Sequence, residues 1–145
     1  SNMEQQFIDY IKDRFGFTKE DFEGLVFIAD NKRVYVTTQD VALEENLPGK
    51  THSYGIVAGR IQRDGKTIKP TTNFFQLFGD KAKSNILDVN AEQKDAFIRG
   101  LYFKTDSGPD KGYVIVRWKK YILGCGFLKD GILQSQVPAS RIIKV

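Results

Sequence analysis

Residues 111–131 read Lys-Gly-Tyr-Val-Ile-Val-Arg-Trp-Lys-Lys-Tyr-Ile-Leu-Gly-Cys-Gly-Phe-Leu-Lys-Asp-Gly. Two runs rich in β-branched and aromatic residues are separated by a Lys-Lys pair and closed by an Asp-Gly turn signal. This pattern predicts a meander of strands near 112–118, 121–128 and 131–134. The unit is also charged on one side of the ledger. From Lys111 to Val145 there are seven basic residues (Lys111, Arg117, Lys119, Lys120, Lys129, Arg141 and Lys144) against Asp130 alone. That is +6 in a chain whose formal net charge is +4, which leaves about −2 for the first 110 residues. Positive charge gathered on one small β unit is the sequence form of a footprint for a polyanion.

Strand alternation sorts the side chains. Val114, Val116 and Trp118 share one face and read as core; Tyr113, Ile115, Arg117 and Lys119 share the other. Arg117, Lys119, Lys120, Lys129 and Arg141 are candidates to neutralise phosphates. Tyr121, at a strand start beside two lysines, is the candidate to stack on an unpaired base. A solvated basic face without a partner is the competing reading.

Elsewhere, Phe7, Ile8, Ile11 and Phe15 form the apolar stripe of a helix over 3–15, stopped at Gly16. Strands are expected at 25–29 and 33–37 around an Asp30-Asn31-Lys32 turn, at 55–62, and up to Lys69 after an Asp64-Gly65 turn. A short helix is expected within 38–46. Pro70-Thr71-Thr72 opens a phenylalanine-rich helix that closes at Gly79, and Asn90 with Gln93 forms a capping box for another that ends at Gly100. A last strand is expected at 141–145. The expected fold class is α+β, an N-terminal α/β lobe followed by a mostly-β part, divided near Asp80–Ser84 into 3–83 and 84–145.

Signals for chemistry are thin. The one histidine, His52, sits in a loop-like context and reads as a solvated residue. No His/Cys cluster has metal-ligand spacing, so no metal or cofactor is expected. The single cysteine, Cys125, reads as a small buried thiol and suits a reducing cytoplasm. Gly124-x-Gly126 continues as a strand instead of opening a helix, so it is no phosphate-binding fingerprint. Adjacent carboxylates such as Glu44-Glu45 point to different helix faces and read as surface acids. No apolar run reaches the roughly 20 residues of a membrane span, and the N-terminus lacks a signal-peptide pattern.

The order of pieces from about Ile86 onward resembles a PUA domain, the pseudouridine-synthase and archaeosine-transglycosylase RNA-binding module. The matching residues are Ile98-Arg99-Gly100 at a helix end, Gly112 to Val116, and Leu123-Gly124-Cys125-Gly126. The tail of Sun-family ribosomal RNA cytosine methyltransferases is more similar still, through those same stretches with Leu133-Gln134-Ser135, Pro138 and Arg141. Lys69-Pro70-Thr71 before the Phe-rich helix resembles the entry to that tail. Gln134-Ser135 stands where that tail has Lys-Asn, and the methyltransferase's own cofactor-binding segment and catalytic cysteine motif are not in this sequence. The 3–83 part resembles, in arrangement, the small α+β domain placed before PUA domains in archaeal-type proteins.

The resemblance implies a C-terminal PUA-like mixed β pseudobarrel. It implies binding to structured rRNA or tRNA without catalysis, in RNA modification or ribosome biogenesis, beside an RNA-modifying enzyme or a ribosome-assembly factor. It also brings Arg99 and Gly100 into the expected RNA surface with Arg117, Lys119, Lys120, Tyr121, Lys129 and Arg141, because PUA domains use this helix-to-strand junction. Gly124 and Gly126 leave a groove or permit sharp barrel bending. Two other classes stay open. One is an ASCH-like hydrolase on a PUA-like fold, with Lys69, Thr71, Thr72 and Glu92 in a cleft. The other is a protein-interaction module docking through apolar faces of the 4–60 lobe.

Overall fold

The computed structural model describes residues 2–40, 55–106 and 108–143. His52, Glu44-Glu45, Lys144 and most of the helix expected within 38–46 lie outside them. The chain packs as two units, Ser1–Lys69 and Pro70–Val145.

In the first unit, helix α1 spans Met3–Phe15 and buries Phe7, Ile11 and Phe15, three of the four predicted stripe residues. Gly16 ends it in the left-handed conformation (φ 74°), its N–H returning to the carbonyls of Ile11 and Lys12. Strands β1 (Leu25–Asp30), β2 (Arg33–Thr38), β3 (Ile56–Ile61) and β4 (Ile68–Pro70) form a sheet in that order. β1 and β2 pair antiparallel through the predicted turn, Asn31 and Lys32 both at positive φ. The turn before β4 is held by Asp64. Its carboxylate accepts the backbone N–H groups of Lys66 and Thr67 and the Thr67 hydroxyl, which together hold its pKa down to about 2. A chain of ring contacts, Phe15–Phe17–Phe22–Phe27, fills this unit's core.

The second unit opens with α2 (Thr72–Phe78), where Thr71 Oγ1 accepts the N–H of Phe74 as the N-cap. Next come β5 (Ile86–Asp88), α3 (Ala91–Ile98), β6 (Phe103–Lys104), β7 (Gly112–Trp118), β8 (Tyr121–Lys129) and β9 (Ile132–Ser135). The capping box is present: Asn90 Oδ1 accepts the Gln93 N–H at 2.8 Å, and Gln93 Oε1 accepts the Asn90 N–H at 3.0 Å. The strands make one curled, half-barrel sheet in the order β5-β7-β8-β9-β6. β5 runs parallel to β7; every other neighbour pair is antiparallel. Val114 and Val116 are fully buried with Leu87, Phe97 and Leu133, and Trp118 packs half-buried on the edge of that cluster, as the alternation predicted.

The compact second unit begins at Pro70, because α2 packs on β8: Thr72 is buried and its hydroxyl accepts the N–H of Cys125 at 3.1 Å. A 3-10 turn over Ala139–Arg141 follows Pro138, so the strand expected at 141–145 does not form over 141–143, the part of it that is described. Ile143 then donates its N–H to the carbonyl of Ile98 at the end of α3, and no sheet pairing forms there among the described residues.

Candidate nucleic-acid interface

The β7–β8 hairpin closes in two residues, Lys119 and Lys120, with Trp118 and Tyr121 directly opposed. A bulge between Val116 and Arg117 precedes the turn. The opposed rings stack, centroids 6.0 Å apart and planes 23° off parallel. Three ammonium groups gather on them. Lys94 Nζ lies 4.3 Å and Lys119 Nζ 4.8 Å from the centre of the Trp118 ring, and Lys120 Nζ lies 5.6 Å from that of Tyr121. A cation over an aromatic face is attracted by the ring quadrupole. Trp118 thus does two jobs, its inner side on the core cluster and its ring under two cations. Tyr121 is 53% exposed.

Lys94 was not legible as a site residue, since nothing in α3's sequence marks it. It arrives because α3 covers the face of the sheet that carries Trp118. Its charge is partly offset by Asp95, 3.5 Å away.

The other expected residues do not all converge here. Arg117 is held bidentately by Asp88 on β5, Nε to Oδ1 at 2.7 Å and Nη2 to Oδ2 at 2.9 Å. The guanidinium's hydrogen bond holds the Asp88 carboxyl below its ordinary value, and the carboxylate in turn holds Arg117 charged. The pair is locally neutral, so Arg117 adds little to the positive field. Arg141 instead donates to neutral partners, Nη1 to Asn73 Oδ1 and Nη2 to Gln76 Oε1, both 2.7 Å. Neither partner is a carboxylate, so these bonds fix the guanidinium without pairing it with a negative charge. Gln76 passes the connection on, its Nε2 donating to the Leu123 carbonyl at 3.1 Å, two residues along β8 from Tyr121.

Lys129 sits at the far end of β8, about 26 Å from Tyr121 at roughly 3.3 Å per residue. Arg99 is exposed at the C-terminal end of α3. Gly100 takes φ 74° there, but the side chain of Ile142 covers it: a Cβ on Gly100 would lie 2.7 Å from Ile142 Cδ1. This glycine serves packing against the chain's own tail. Gly124 and Gly126 leave no groove either. A Cβ on Gly124 would meet Thr72 at 2.8 Å, and one on Gly126 would meet Leu133 at 2.7 Å.

The residues proposed for hydrolase chemistry have structural tasks or stand apart. Thr71 caps α2, Thr72 braces β8, and Glu92 is exposed on the first turn of α3. A shallow hollow beside α3, about 460 Å³, is lined by Gln93, Lys104, Thr105, Asp106, Asp130, Gly131 and Ile132. It contains none of the four, Lys69 lying on β4. Among the described residues no cluster of His, Cys, Asp and Glu could hold a metal, and no helix is long and apolar enough to cross a membrane. The large exposed apolar side chains, Leu77, Leu101, Tyr102, Tyr121 and Ile143, all belong to the second unit. The first unit therefore shows no such patch among its described residues.

The stretches on which the resemblance rested stand at the end of α3 (Ile98-Arg99-Gly100), along β7 (Gly112 to Val116) and along β8 (Leu123 to Gly126). Residues 84–143 match the family model of the Methyltransferase RsmF PUA domain. They carry a PUA-like domain resembling the tail of Sun-family methyltransferases. The match lies inside the second unit, which adds α2 to it, and covers none of the first. No curated protein matches the chain. Within this PUA-like domain the Trp118–Tyr121 tip gathers Lys94, Lys119 and Lys120, while Arg141 is held by Asn73 and Gln76 and Arg117 by Asp88.

Proposed function

We propose that the PUA-like domain binds structured rRNA or tRNA without catalysis, in RNA modification or ribosome biogenesis. In this reading residues 84–145 complete a PUA-like pseudobarrel, and the protein works in the cytoplasm beside an RNA-modifying enzyme or ribosome-assembly factor. The 3–83 part serves as its companion domain.

One observation carries the reading: two stacked rings ringed by Lys94, Lys119 and Lys120 at an open hairpin tip of a domain that matches a PUA family model. Lysine ammoniums displace counterions from phosphates, and exposed rings stack on bases. The test is a titration of the full chain with a structured RNA over a range of salt. Binding should weaken as salt rises, and a Lys119→Ala/Lys120→Ala double variant should flatten the log–log slope by roughly 0.7 to 0.9 per lysine. No affinity at low salt, or an unchanged slope in the double variant, would overturn it. Arg117→Ala should change affinity far less, because its partner is Asp88.

A further inference from the structure

The tip is more selective than a patch of positive charge. Lys94 and Lys119 lie 4.3 and 4.8 Å from the same ring centre, so their ammoniums are no more than about 9 Å apart. A phosphate bound by either one lies within a Debye length of the other. Tyr121 turns one face to Trp118 and remains 53% exposed, so half of its surface is open to a ligand. Among the described residues Lys120, itself exposed, is the one cation over that ring. Stacking of a base on an aromatic ring outweighs an exposed ammonium–ring contact, so an arriving base displaces Lys120 and frees its charge for the next phosphate.

We propose that the Trp118–Tyr121 tip holds one unpaired nucleotide, its base on the open face of Tyr121, its phosphate between Lys94 and Lys119, and the adjoining phosphate on Lys120. The inference rests on the RNA-binding reading above and narrows it. In a duplex both faces of every base are already stacked, so a duplex satisfies the lysines and leaves Tyr121 unused. An unpaired nucleotide uses both. The groups this site uses are ring faces and ammoniums, which stack on any base and pair with any phosphate, so the preference is for strandedness and not for sequence.

Trp118 is the chain's one tryptophan, so its emission reports this site alone. The full chain is titrated at one salt concentration with a single-stranded RNA, a single-stranded DNA of the same sequence, and a blunt duplex RNA whose two ends are each closed by a non-nucleotide linker, so that it holds no unpaired base. A single strand should change Trp118 emission saturably and bind roughly tenfold or more tightly than the closed duplex. An effect with both single strands, or with the RNA alone, supports the proposal; the second adds a contact to the 2′-hydroxyl. Tyr121→Ala should abolish the preference and Tyr121→Phe should keep it, with melting temperatures of both variants confirming the fold. If duplex and single strand bind equally, or Tyr121→Ala keeps the preference, this proposal falls while RNA binding stands. If nothing binds at low salt, both fall.

Discussion

β8 begins at the Lys119-Lys120 turn and ends at the Asp130-Gly131 turn. The second is built as turn chemistry favours: Asp130 at φ 53° and Gly131 at φ 75°, residues that tolerate the left-handed region. The first places a lysine at φ 56°, a conformation that strains an ordinary side chain by about 1–2 kcal/mol. Lys32 makes the same departure in the first unit's hairpin, following an asparagine. At Lys119 the long side chain is the one laid over Trp118, so the strain goes with a cation in place. In the proposed reading one tip only closes a strand and the other also presents a ligand surface, and the strained lysine belongs to the second.

Four substitutions test that contrast. The largest effect is expected beneath the Asp130-Gly131 tip. Leu133→Ala empties a fully buried site under Gly126 and should lower stability by about 2–5 kcal/mol in chemical denaturation, with RNA affinity of the folded fraction unchanged. Gly131→Ala comes next. It forces a side chain into φ 75° with its Cβ 3.3 Å from the Thr105 carbonyl, and should cost about 1–2 kcal/mol without touching RNA affinity. Lys119→Gly should act in the opposite sense on both readouts. It relieves the turn, raising stability by up to about 1 kcal/mol, and weakens RNA binding. A Lys119→Gly variant that loses stability, or binds RNA as before, would erase the distinction between the tips.

The smallest effect is expected at Asp88→Asn. The pair is exposed, so its loss should cost under about 1 kcal/mol. Because the folded Asp88 carboxyl titrates below its ordinary 3.8, its contribution is complete above that pH and drains away as pH falls through the lower folded value. The difference between the parent chain and the variant should therefore shrink in acid, measured by melts from pH 7 down to pH 3.

Local patterns were legible in the sequence. The apolar stripe of α1, the Thr71 and Asn90 caps and the alternation of Val114, Val116 and Trp118 depend on neighbours within a few residues, and the chain folds as they direct. Long-range partners were not. Arg117 read as a free surface cation because Asp88 lies 29 residues earlier, on a short strand with too little alternation to be recognised, and only its parallel pairing brings the two together. Arg141 is anchored across 68 and 65 residues to Asn73 and Gln76. Gly100 read as an open approach for RNA until the turn at Ala139–Arg141 brought Ile142 over it. Of the site, Lys119, Lys120 and Tyr121 were legible because a two-residue turn keeps them together in sequence; Lys94 was not, because a helix 24 residues away supplies it.

The Asp88–Arg117 pair has one more consequence. β5 is a three-residue strand aligned Ile86 to Ile115, Leu87 to Val116 and Asp88 to Arg117. Three residues of backbone pairing hold a register weakly. A slip by one would point the Asp88 carboxylate inward, where Leu87 is wholly buried, and turn Leu87 out to water. Burying that charge unpaired costs several kcal/mol, far more than the exposed pair contributes when it forms correctly. Its value lies in the arrangements it forbids: an ion pair worth almost nothing to the finished sheet acts as a lock that admits only one alignment of the edge strand.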